Sequence, residues 1–504
     1  MKKFYITTPL YYVNDEPHIG HAYTTILADV ISRIQKIQGN DVYFLTGTDE
    51  HGQKVQEAAN KNNVSPKEHV DKYVKRFKNV WKEINIDYTD FIRTTETRHT
   101  DRVKEILTML FDNGEIYQNE YEGLYSVSEE RFITEKEAEE GDFREIKKLK
   151  EKNYFFKMSK YQKKLIKHID DNPDFIKPES RKNEIIGFLK KPLGDLCISR
   201  PKERLKWGID LPFDSNYVTY VWFDALINYI SAIGWNKDNE KFDNCWPADY
   251  HLMAKDILTT HCVYWPTMLM ACNIPLPKTI FAHGWWLMDD IKMSKSIGNV
   301  VKPLDLAYKY GSDSLRYYLM SNMVLGQDAS FTLDSFTRKY NSDLANDYGN
   351  LVNRILIMIN KNFDSKIPEK YEYDDIDMEL IIKAKEAPGE ILSNYNNLKI
   401  HKSIELIMQL LRSVNKYLEV KAPWKLIKSS NKEDFLKAST TLYISSELLK
   451  IGTLLLFPIM PEKTTILLKS LGVKSNTDFT FGNLKPNTQI SVANNLFPRI
   501  EEEE

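Results

Sequence analysis

The chain has 504 residues, too many for one hydrophobic core, so its length predicts roughly two to four domains. Hydrophobic residues make up 42% and charged residues 28%, as in an ordinary soluble globular protein, and no apolar run is long enough to cross a bilayer. The formal net charge of −2 gives no electrostatic argument for nucleic acid, since a general binder is usually basic, so an RNA partner must be inferred from particular sites.

The cysteines indicate neither a zinc knuckle nor a disulfide framework, because they lie far apart and form no C-x-x-C pair. They are Cys197, Cys245, Cys262 and Cys272. A strand-like run begins at Lys3, which leaves no room for a signal peptide before it. We therefore expect reduced thiols, no membrane segment and a cytoplasmic location.

The first 46 residues predict a β-α-β unit. A run rich in β-branched and aromatic residues, 3–8, precedes apolar residues at helical spacing over 20–38. The nearly continuous apolar run 41–46 suits a parallel strand buried on both faces. Ligands bind such units at the carboxyl ends of the strands, which places 17–21 and 47–52 at one crevice.

Later patterns divide the chain further. Irregular aromatic and lysine-rich stretches after residue 114 predict an inserted α+β connective module, strand-like runs return at Tyr217, and helical spacing dominates from residue 335. We predict an α/β protein with a Rossmann-like parallel-sheet domain, split by the module and followed by an all-α bundle of roughly four or five helices. The expected bounds are 1–114 and 217–334 for the split domain, 115–216 for the module, 335–475 for the bundle and 476–504 for a short tail. Further strands are expected at 217–222, 249–253 and 278–283, and further helices at 66–85, 97–113 and 223–233.

Two histidines open the first predicted helix, in Pro17-His18-Ile19-Gly20-His21. A helix N-terminus attracts phosphate through its free N–H groups and its dipole. Imidazoles on one side of the first turn can donate hydrogen bonds to phosphoryl oxygens, and Gly20 lets a flat ligand approach the backbone. Taken alone, these five residues fit an accidental turn with surface histidines equally well.

Two lysines stand three apart in the polar segment Lys292-Met293-Ser294-Lys295-Ser296. Lysine charges on a flexible loop suit closure over a triphosphate or a departing pyrophosphate. Taken alone, the segment is more typical of a solvated basic turn. Because it follows the histidine pair in order, on the other side of a split α/β fold, the two motifs together indicate an enzyme that consumes ATP.

These motifs, followed by a helical region, resemble those of class I aminoacyl-tRNA synthetases, and most closely the methionyl-tRNA synthetases. The resemblance covers nearly the whole chain and rests on further stretches: Thr8–Asn14, Gly47–Gly52, Tyr220–Ala225, Ala254–Asp256, Ala282–Trp285 and Ala422–Trp424. It implies ATP-dependent activation of methionine to methionyl-adenylate and transfer to the 3′ end of tRNA(Met), the activity of a methionine–tRNA ligase.

The resemblance also implies three groups of site residues. The methionine pocket would comprise Leu10, Tyr12, Asp49, Trp222, Ala225, Tyr229, Ile280 and His283. The ATP site would comprise His18, Gly20, His21, Asp256, Lys292 and Lys295, with the two histidines and two lysines as catalytic groups. The anticodon would be read by Asn350, Arg354 and Trp424. Asp49 would hold the substrate ammonium, and Tyr12, Trp222 and His283 would face the thioether.

The implied reaction is in-line attack of the methionine carboxylate on the α-phosphorus of ATP, catalysed by positioning and charge stabilisation without a protein nucleophile. Magnesium would enter with ATP. The chain departs from many family members in having no cysteine between Met1 and Leu196, so we expect no structural zinc near Tyr125–Phe132. It also stops shortly after the bundle, without the C-terminal oligonucleotide-binding domain that makes some members dimers, so we expect a monomer.

Two alternatives stay open. One is a class I synthetase for leucine, isoleucine, valine or cysteine, although the inserted module is small for an editing domain and a cysteine enzyme would be expected to supply thiolates for zinc. The other is a non-catalytic tRNA-binding protein on the same scaffold. Retention of both histidines, both lysines and Asp49 argues against the second.

Overall fold

The structure is a computed structural model that describes residues 3–14, 16–126, 131–133, 138, 146–288, 291–292, 300–473, 477–492 and 495–501. The chain forms two compact units. The first comprises residues 1–17, 41–79 and 87–283, and the second comprises residues 18–40, 80–86 and 284–504. Over the described ranges, no helix is both long and apolar enough to cross a membrane.

The strands and helices are numbered in chain order. The strands are β1 (Phe4–Thr7), β2 (Tyr11–Tyr12), β3 (Val42–Asp49), β4 (Asp90–Arg93), β5 (Ile116–Ser126), β6 (Arg131–Ile133), β7 (Ile146–Phe156), β8 (Ile176–Lys177), β9 (Leu196–Cys197), β10 (Ser199–Pro201), β11 (Asp210–Leu211), β12 (Asp214–Thr219), β13 (Tyr250–Ala254), β14 (Ile280–His283), β15 (Trp286–Met288), β16 (Ile291–Lys292) and β17 (Ala329–Phe331). The helices are α1 (Ile19–Ile37), α2 (Gln53–Lys61), α3 (Pro66–Glu83), α4 (Thr97–Asp112), α5 (Gln162–Asp171), α6 (Glu179–Leu189), α7 (Val221–Leu226), α8 (Asn228–Ser231), α9 (Asn239–Cys245), α10 (Trp265–Ala271), α11 (Pro303–Tyr310), α12 (Ser312–Asn322), α13 (Leu333–Lys339), α14 (Asn350–Asn362), α15 (Asp375–Asn396), α16 (Ile400–Lys421), α17 (Pro423–Leu426), α18 (Lys432–Leu456) and α19 (Pro461–Ser470).

The first unit is built on a parallel sheet with the strand order β2-β3-β1-β13-β14-β8, in which β4 also pairs with β3. The predicted β-α-β unit is confirmed, because β1 and β3 are parallel and a helix lies between them in the chain. Every residue of β3 is buried, as its continuous apolar content predicts. This strand extends past the predicted end to Asp49, since Gly47 pairs with Ile92 of β4. A Cβ at Gly47 would lie 2.0 Å from the Ile92 carbonyl oxygen, so only glycine permits this close approach.

The inserted α+β module is present, with a sheet in the order β6-β5-β7-β9, a small sheet in the order β10-β12-β11, and helices α5 and α6. Two details differ from the prediction. Strand β8 lies within the module range but pairs with β14 in the central sheet. The strand expected at 217–222 ends at Thr219 and pairs antiparallel with β10 and β11, and α7 then begins at Val221, so Trp222 lies on a helix.

The second unit contains the predicted helical bundle. Among the described residues it has five helices of ten residues or more from residue 350 onward, which are α14, α15, α16, α18 and α19. The apolar positions that carried the helical spacing, such as Leu344 and Ile355, are buried. Helix α1 belongs to this unit, and its Asp29 accepts a hydrogen bond at 2.5 Å from Arg316 of α12. This buried ion pair anchors the helix that begins at the histidine motif.

Candidate functional site

Several predicted pocket residues lie at one edge of the central sheet. Because β1, β3, β13 and β14 are parallel, their carboxyl ends meet there. The residues at this edge are Leu10 and Tyr12 after β1, Asp49 at the end of β3, Asp256 just beyond β13 and His283 at the end of β14. Tyr12 is the direct register partner of Asp49. Ile280 starts β14, about 10 Å from that edge at the usual rise per residue, and is fully buried.

An aromatic cluster lies in the same unit. The Trp222 ring is 6.2 Å from the Tyr12 ring and 6.1 Å from the His261 ring, edge to face in both pairs. The Tyr229 hydroxyl lies 2.8 Å from His261 Nε2. Ala225 is buried three residues after Trp222 on α7. The structure therefore brings together the side chains of Tyr12 in β2, Trp222 on α7, Tyr229 on α8 and His261.

His261 is a member of this cluster that the sequence did not reveal, since a single histidine in an apolar helical run forms no motif. Its Nδ1 lies 2.9 Å from the carbonyl oxygen of Ile257, which can only accept, so Nδ1 carries the proton. Burial lowers the pKa of His261 to about 4, and the neutral ring accepts the Tyr229 hydroxyl proton at Nε2. The cluster is therefore uncharged at neutral pH.

Asp49 is 2% exposed, and its neighbour Glu50 is fully buried. Both oxygens of Glu50 are bound by Arg93, whose Nε lies 2.6 Å from Oε1, and Thr48 and Thr95 donate further hydrogen bonds. Arg93 also donates to Asp71 at 2.6 Å. Sequence patterns missed Glu50 because its partners Arg93, at the end of β4, and Thr95 are far away in the chain. The network fixes the end of the strand that presents Asp49.

In the second unit, His18 and His21 form the start of α1. Their rings stack with centroids 3.7 Å apart. Nδ1 of His18 accepts the Gly20 amide proton at 3.1 Å, and Nδ1 of His21 accepts the His18 amide proton at 3.2 Å. Both neutral rings consequently carry their own proton on Nε2. A Cβ at Gly20 would lie 2.9 Å from Cε1 of His18, so a side chain there would force the His18 ring to shift.

The predicted lysine loop is described only at its ends. The backbone of Lys292 lies in β16, paired with Leu287 of β15. Its side chain and all of residues 293–299, including Lys295, lie outside the described residues. Beyond them, the Val301 carbonyl accepts the Ile19 amide proton at 3.1 Å. The chain therefore returns from the lysine segment to the helix start that carries both histidines.

The three predicted anticodon residues line one groove of about 720 Å³ on the second unit. The Arg354 guanidinium lies 5.3 Å from the centre of the half-buried Trp424 ring, within cation–π distance. Asn350 is exposed one helical turn before Arg354. Asn415, which the sequence did not single out, accepts from Arg354 at 3.4 Å and donates to the Asp347 carbonyl at 3.0 Å. The groove thus presents a flat ring, a guanidinium and amides to solvent.

In the described part of the chain, no three His, Cys, Asp or Glu side chains are arranged to hold a metal. Much of the stretch from Tyr125 to Phe132 lies outside it. The expected absence of structural zinc therefore stays a prediction.

Comparisons with known proteins identify the family of this chain. The family model for tRNA synthetases class I (M) matches residues 4–141 and 141–356, and the model for the anticodon binding domain of methionyl tRNA ligase matches residues 367–504. A methionine–tRNA ligase of Clostridium acetobutylicum is 45% identical over 99% of this chain and 78% of its own length. Methionyl-tRNA synthetase of Mycobacterium tuberculosis, solved with methionyl-adenylate, superposes with a TM-score of 0.95 at 39% identity, covering 99% of this chain and all of that one. Its apo form gives a TM-score of 0.88 at 36% identity, covering all of this chain and 99% of that one.

Proposed function

The chain belongs to the methionyl-tRNA synthetases, which are class I aminoacyl-tRNA synthetases, and on this premise we propose which residues carry each step. The protein activates methionine with ATP to methionyl-adenylate and transfers the methionyl group to the 3′ end of tRNA(Met). The match of methionine-specific models to both the α/β and the helical regions carries this conclusion. It disfavours the leucine, isoleucine, valine and cysteine enzymes that the sequence left open.

We assign methionine to the carboxyl edge of the central sheet. Asp49, buried at the end of β3, binds the substrate ammonium, because a carboxylate there offers the matching charge. Tyr12, Trp222 and Tyr229 provide aromatic surface for the thioether, which sulfur favours. Their partner His261 is neutral, so its ring adds no charge to this surface. The remaining predicted residues take these places: Leu10, Ala225 and His283 border the pocket, and Ile280 supports β14 from the sheet core.

We assign ATP to the start of α1 and the lysine segment. The Nε2–H groups of His18 and His21 are the donors for phosphoryl oxygens, since Nδ1 of each ring already binds a backbone amide. Lys292 and Lys295 neutralise charge on the departing pyrophosphate. Asp256, exposed beyond β13, accepts from the ribose hydroxyls. We propose that magnesium enters bound to the triphosphate, because Mg²⁺ in such sites is coordinated mainly by phosphate oxygens and water. When bound, it would neutralise part of the phosphate charge.

The chemistry needs no protein nucleophile. A methionine carboxylate oxygen attacks the α-phosphorus, the bond to the bridging oxygen breaks, and pyrophosphate leaves with that electron pair. A hydroxyl of the terminal tRNA ribose then attacks the acyl carbonyl, loses its proton and displaces AMP. The proposed protein groups act by holding the ammonium and the phosphates in line, which lowers the entropic part of the barrier.

We assign the anticodon to the groove of the second unit. Trp424 offers a ring on which an unstacked base can lie, and Asn350 and Arg354 offer donors and acceptors for base edges. The 5.3 Å contact between Arg354 and Trp424 supports this role, because it holds the guanidinium beside the stacking surface. Since tRNA is the substrate, we also propose a cytoplasmic location. The monomer expected from the sequence stays a prediction, to be checked by sedimentation.

The test is amino-acid-dependent exchange of pyrophosphate into ATP, run across the standard amino acids. Methionine alone should support exchange. Lys295→Ala should depress the exchange rate while Lys428→Ala, at an exposed lysine elsewhere in the second unit, should not. Absence of exchange with every amino acid would refute catalysis, and exchange with leucine or cysteine in place of methionine would refute the specificity.

A further inference from the structure

A buried chain of hydrogen bonds joins three separate elements of the first unit. His51 Nδ1 and Asp224 Oδ2 are 2.7 Å apart, and His99 Nε2 and Asp224 Oδ1 are also 2.7 Å apart. Exposure of the three side chains is 8%, 1% and 0% for His51, Asp224 and His99. A carboxylate only accepts, so each imidazole donates to it. Each oxygen of Asp224 therefore has one histidine partner.

The carboxyl group of Asp224 remains ionised in this environment. Burial opposes its ionisation, but the charges and hydrogen bonds of His51 and His99 outweigh that effect and hold its pKa below the ordinary value. On the far side, His99 Nδ1 lies 2.9 Å from the hydroxyl of Ser231. The chain of contacts therefore runs from the end of β3, through α7, to α4 and the end of α8.

The positions of these residues connect the two parts of the proposed methionine pocket. His51 follows Asp49 by two residues at the end of β3, and Asp224 lies on α7 between Trp222 and Ala225. The contact between His51 and Asp224 thus ties the strand end assigned to the substrate ammonium to the helix assigned to its side chain. His99 instead ties α7 to α4, which carries none of the pocket residues.

Other contacts hold the same strand end in different directions. Glu50 is fixed to β4 and α3 through Arg93 and Asp71. Trp207 donates from Nε1 to the Glu50 carbonyl at 2.5 Å, and its ring lies 5.4 Å from the ring of His51. These contacts orient the strand end, whereas His51 sets its distance from α7.

Stability alone gives a weak reason for this arrangement. Buried ion pairs can often be replaced by apolar side chains of similar volume at little or no cost. The position of Asp224 beside the proposed pocket therefore explains its presence better than any contribution to the free energy of unfolding.

We propose that Asp224 is a positioning residue for methionine: through His51 it holds the end of β3 against α7, so that ammonium and thioether are bound at a matched separation. The inference rests on the proposed methionine pocket and deepens it. Asp224 and His51 need not touch the substrate. Without the contact between them, the end of β3 and helix α7 are no longer held at a fixed separation.

The experiment compares Asp224→Asn, His51→Gln and His99→Gln in the full chain by methionine-dependent pyrophosphate exchange, varying methionine and ATP separately. Asp224→Asn and His51→Gln should raise the KM for methionine on the order of tenfold or more, the cost expected of a small misplacement of binding groups, with the KM for ATP nearly unchanged. His99→Gln should lower the Tm with a much smaller effect on the KM for methionine. The double variant Asp224→Asn/His51→Gln should be no worse than the poorer single variant, because both remove the same contact.

The control is Glu447→Gln, which breaks a buried pair with Lys450 in the helical bundle at 2.7 Å. It should lower the Tm and leave both KM values unchanged. Ethionine, longer than methionine by one methylene, provides a second measure: discrimination against it should fall in Asp224→Asn and His51→Gln but not in His99→Gln.

An unchanged KM for methionine in both Asp224→Asn and His51→Gln, or a rise that tracks Tm equally in all four single variants, would overturn the proposal. If Asp224→Asn does not fold, the KM for methionine of His51→Gln decides whether the proposal holds. Absence of methionine-dependent exchange in the unaltered protein would instead refute the proposed function, so the two failures are distinguishable.

Discussion

Breaking the pair between Arg316 and Asp29 should destabilise the second unit strongly. Arg316 is fully buried, and its guanidinium donates to Asp29 at 2.5 Å and to the carbonyls of Ile459 and Pro458 at 2.7 and 2.9 Å. Asp29 has a second partner, Arg33, at 2.7 Å. Removing the charge of Asp29 and removing the charge of Arg316 should therefore reduce stability by different amounts.

The contacts of each residue predict which variant loses more stability. Removing one member of a buried ion pair costs about 3–5 kcal/mol, because the other charge stays buried without compensation. Asp29→Leu leaves Arg316 facing carbonyls alone, so we expect the upper part of that range. Arg316→Met leaves Asp29 paired with Arg33, so we expect the lower part. The double variant should cost less than the sum of the two, since it leaves neither charge of the pair behind.

The assay is urea denaturation followed by far-ultraviolet circular dichroism, with pyrophosphate exchange measured at saturating substrates. Helix α1 carries Asp29 and His21 and is capped by His18, so both variants should also lower kcat. Lys450→Met breaks a buried pair within α18 and should destabilise without lowering kcat. Lys383→Met breaks an exposed pair with Glu379 and should leave the free energy of unfolding nearly unchanged. A loss in Arg316→Met no larger than in Lys383→Met would refute the reasoning.

Three other predictions concern the sites. Trp424→Ala should weaken charging of tRNA while sparing adenylate formation, with Tyr371→Ala, an exposed aromatic outside the groove, as the control; equal loss in both steps would show that Trp424 only supports the fold. Burial holds the pKa of His261 at about 4, below the ordinary 6.5, so its contribution to stability is present above pH 6.5 and is lost as pH falls toward 4. His261→Gln should therefore flatten the fall of the urea midpoint over that range, and an unchanged slope would contradict the assignment. Metal analysis of the purified protein should find no stoichiometric zinc, and one zinc per chain would overturn the expectation drawn from the missing cysteines.

Sequence patterns predicted helices and strands well where burial follows from the spacing of nearby apolar residues. The spacing of Leu344 and Ile355 predicted buried helical positions, and continuous apolar content predicted the buried strand β3. Helix α7 was mistaken for part of a strand, because the aromatic and β-branched residues of Tyr217–Trp222 favour strands and only the tertiary packing starts a helix at Val221.

The site was predictable only where a motif is contiguous. Asp49 and the histidine pair stand in recognisable stretches, whereas His261, Asp224 and Glu50 acquire their roles from partners far away in the chain. Glycine at position 20 was predicted for ligand access, and the folded structure adds the ring of His18, which a side chain there would displace. Contacts of this kind depend on the folded geometry and leave no periodic signal.

The pairing of β8 with β14 limits how this enzyme can be redesigned. The connective module looks in the sequence like a cassette that could be excised or exchanged between its two flanking segments. The pairing of Ile176 with Ile280 and of Lys177 with Phe281, however, places a strand of that cassette in the sheet that carries His283. A deletion of residues 115–216 would expose the backbone edge of β14, so a functional graft has to keep β8 or supply a replacement edge strand.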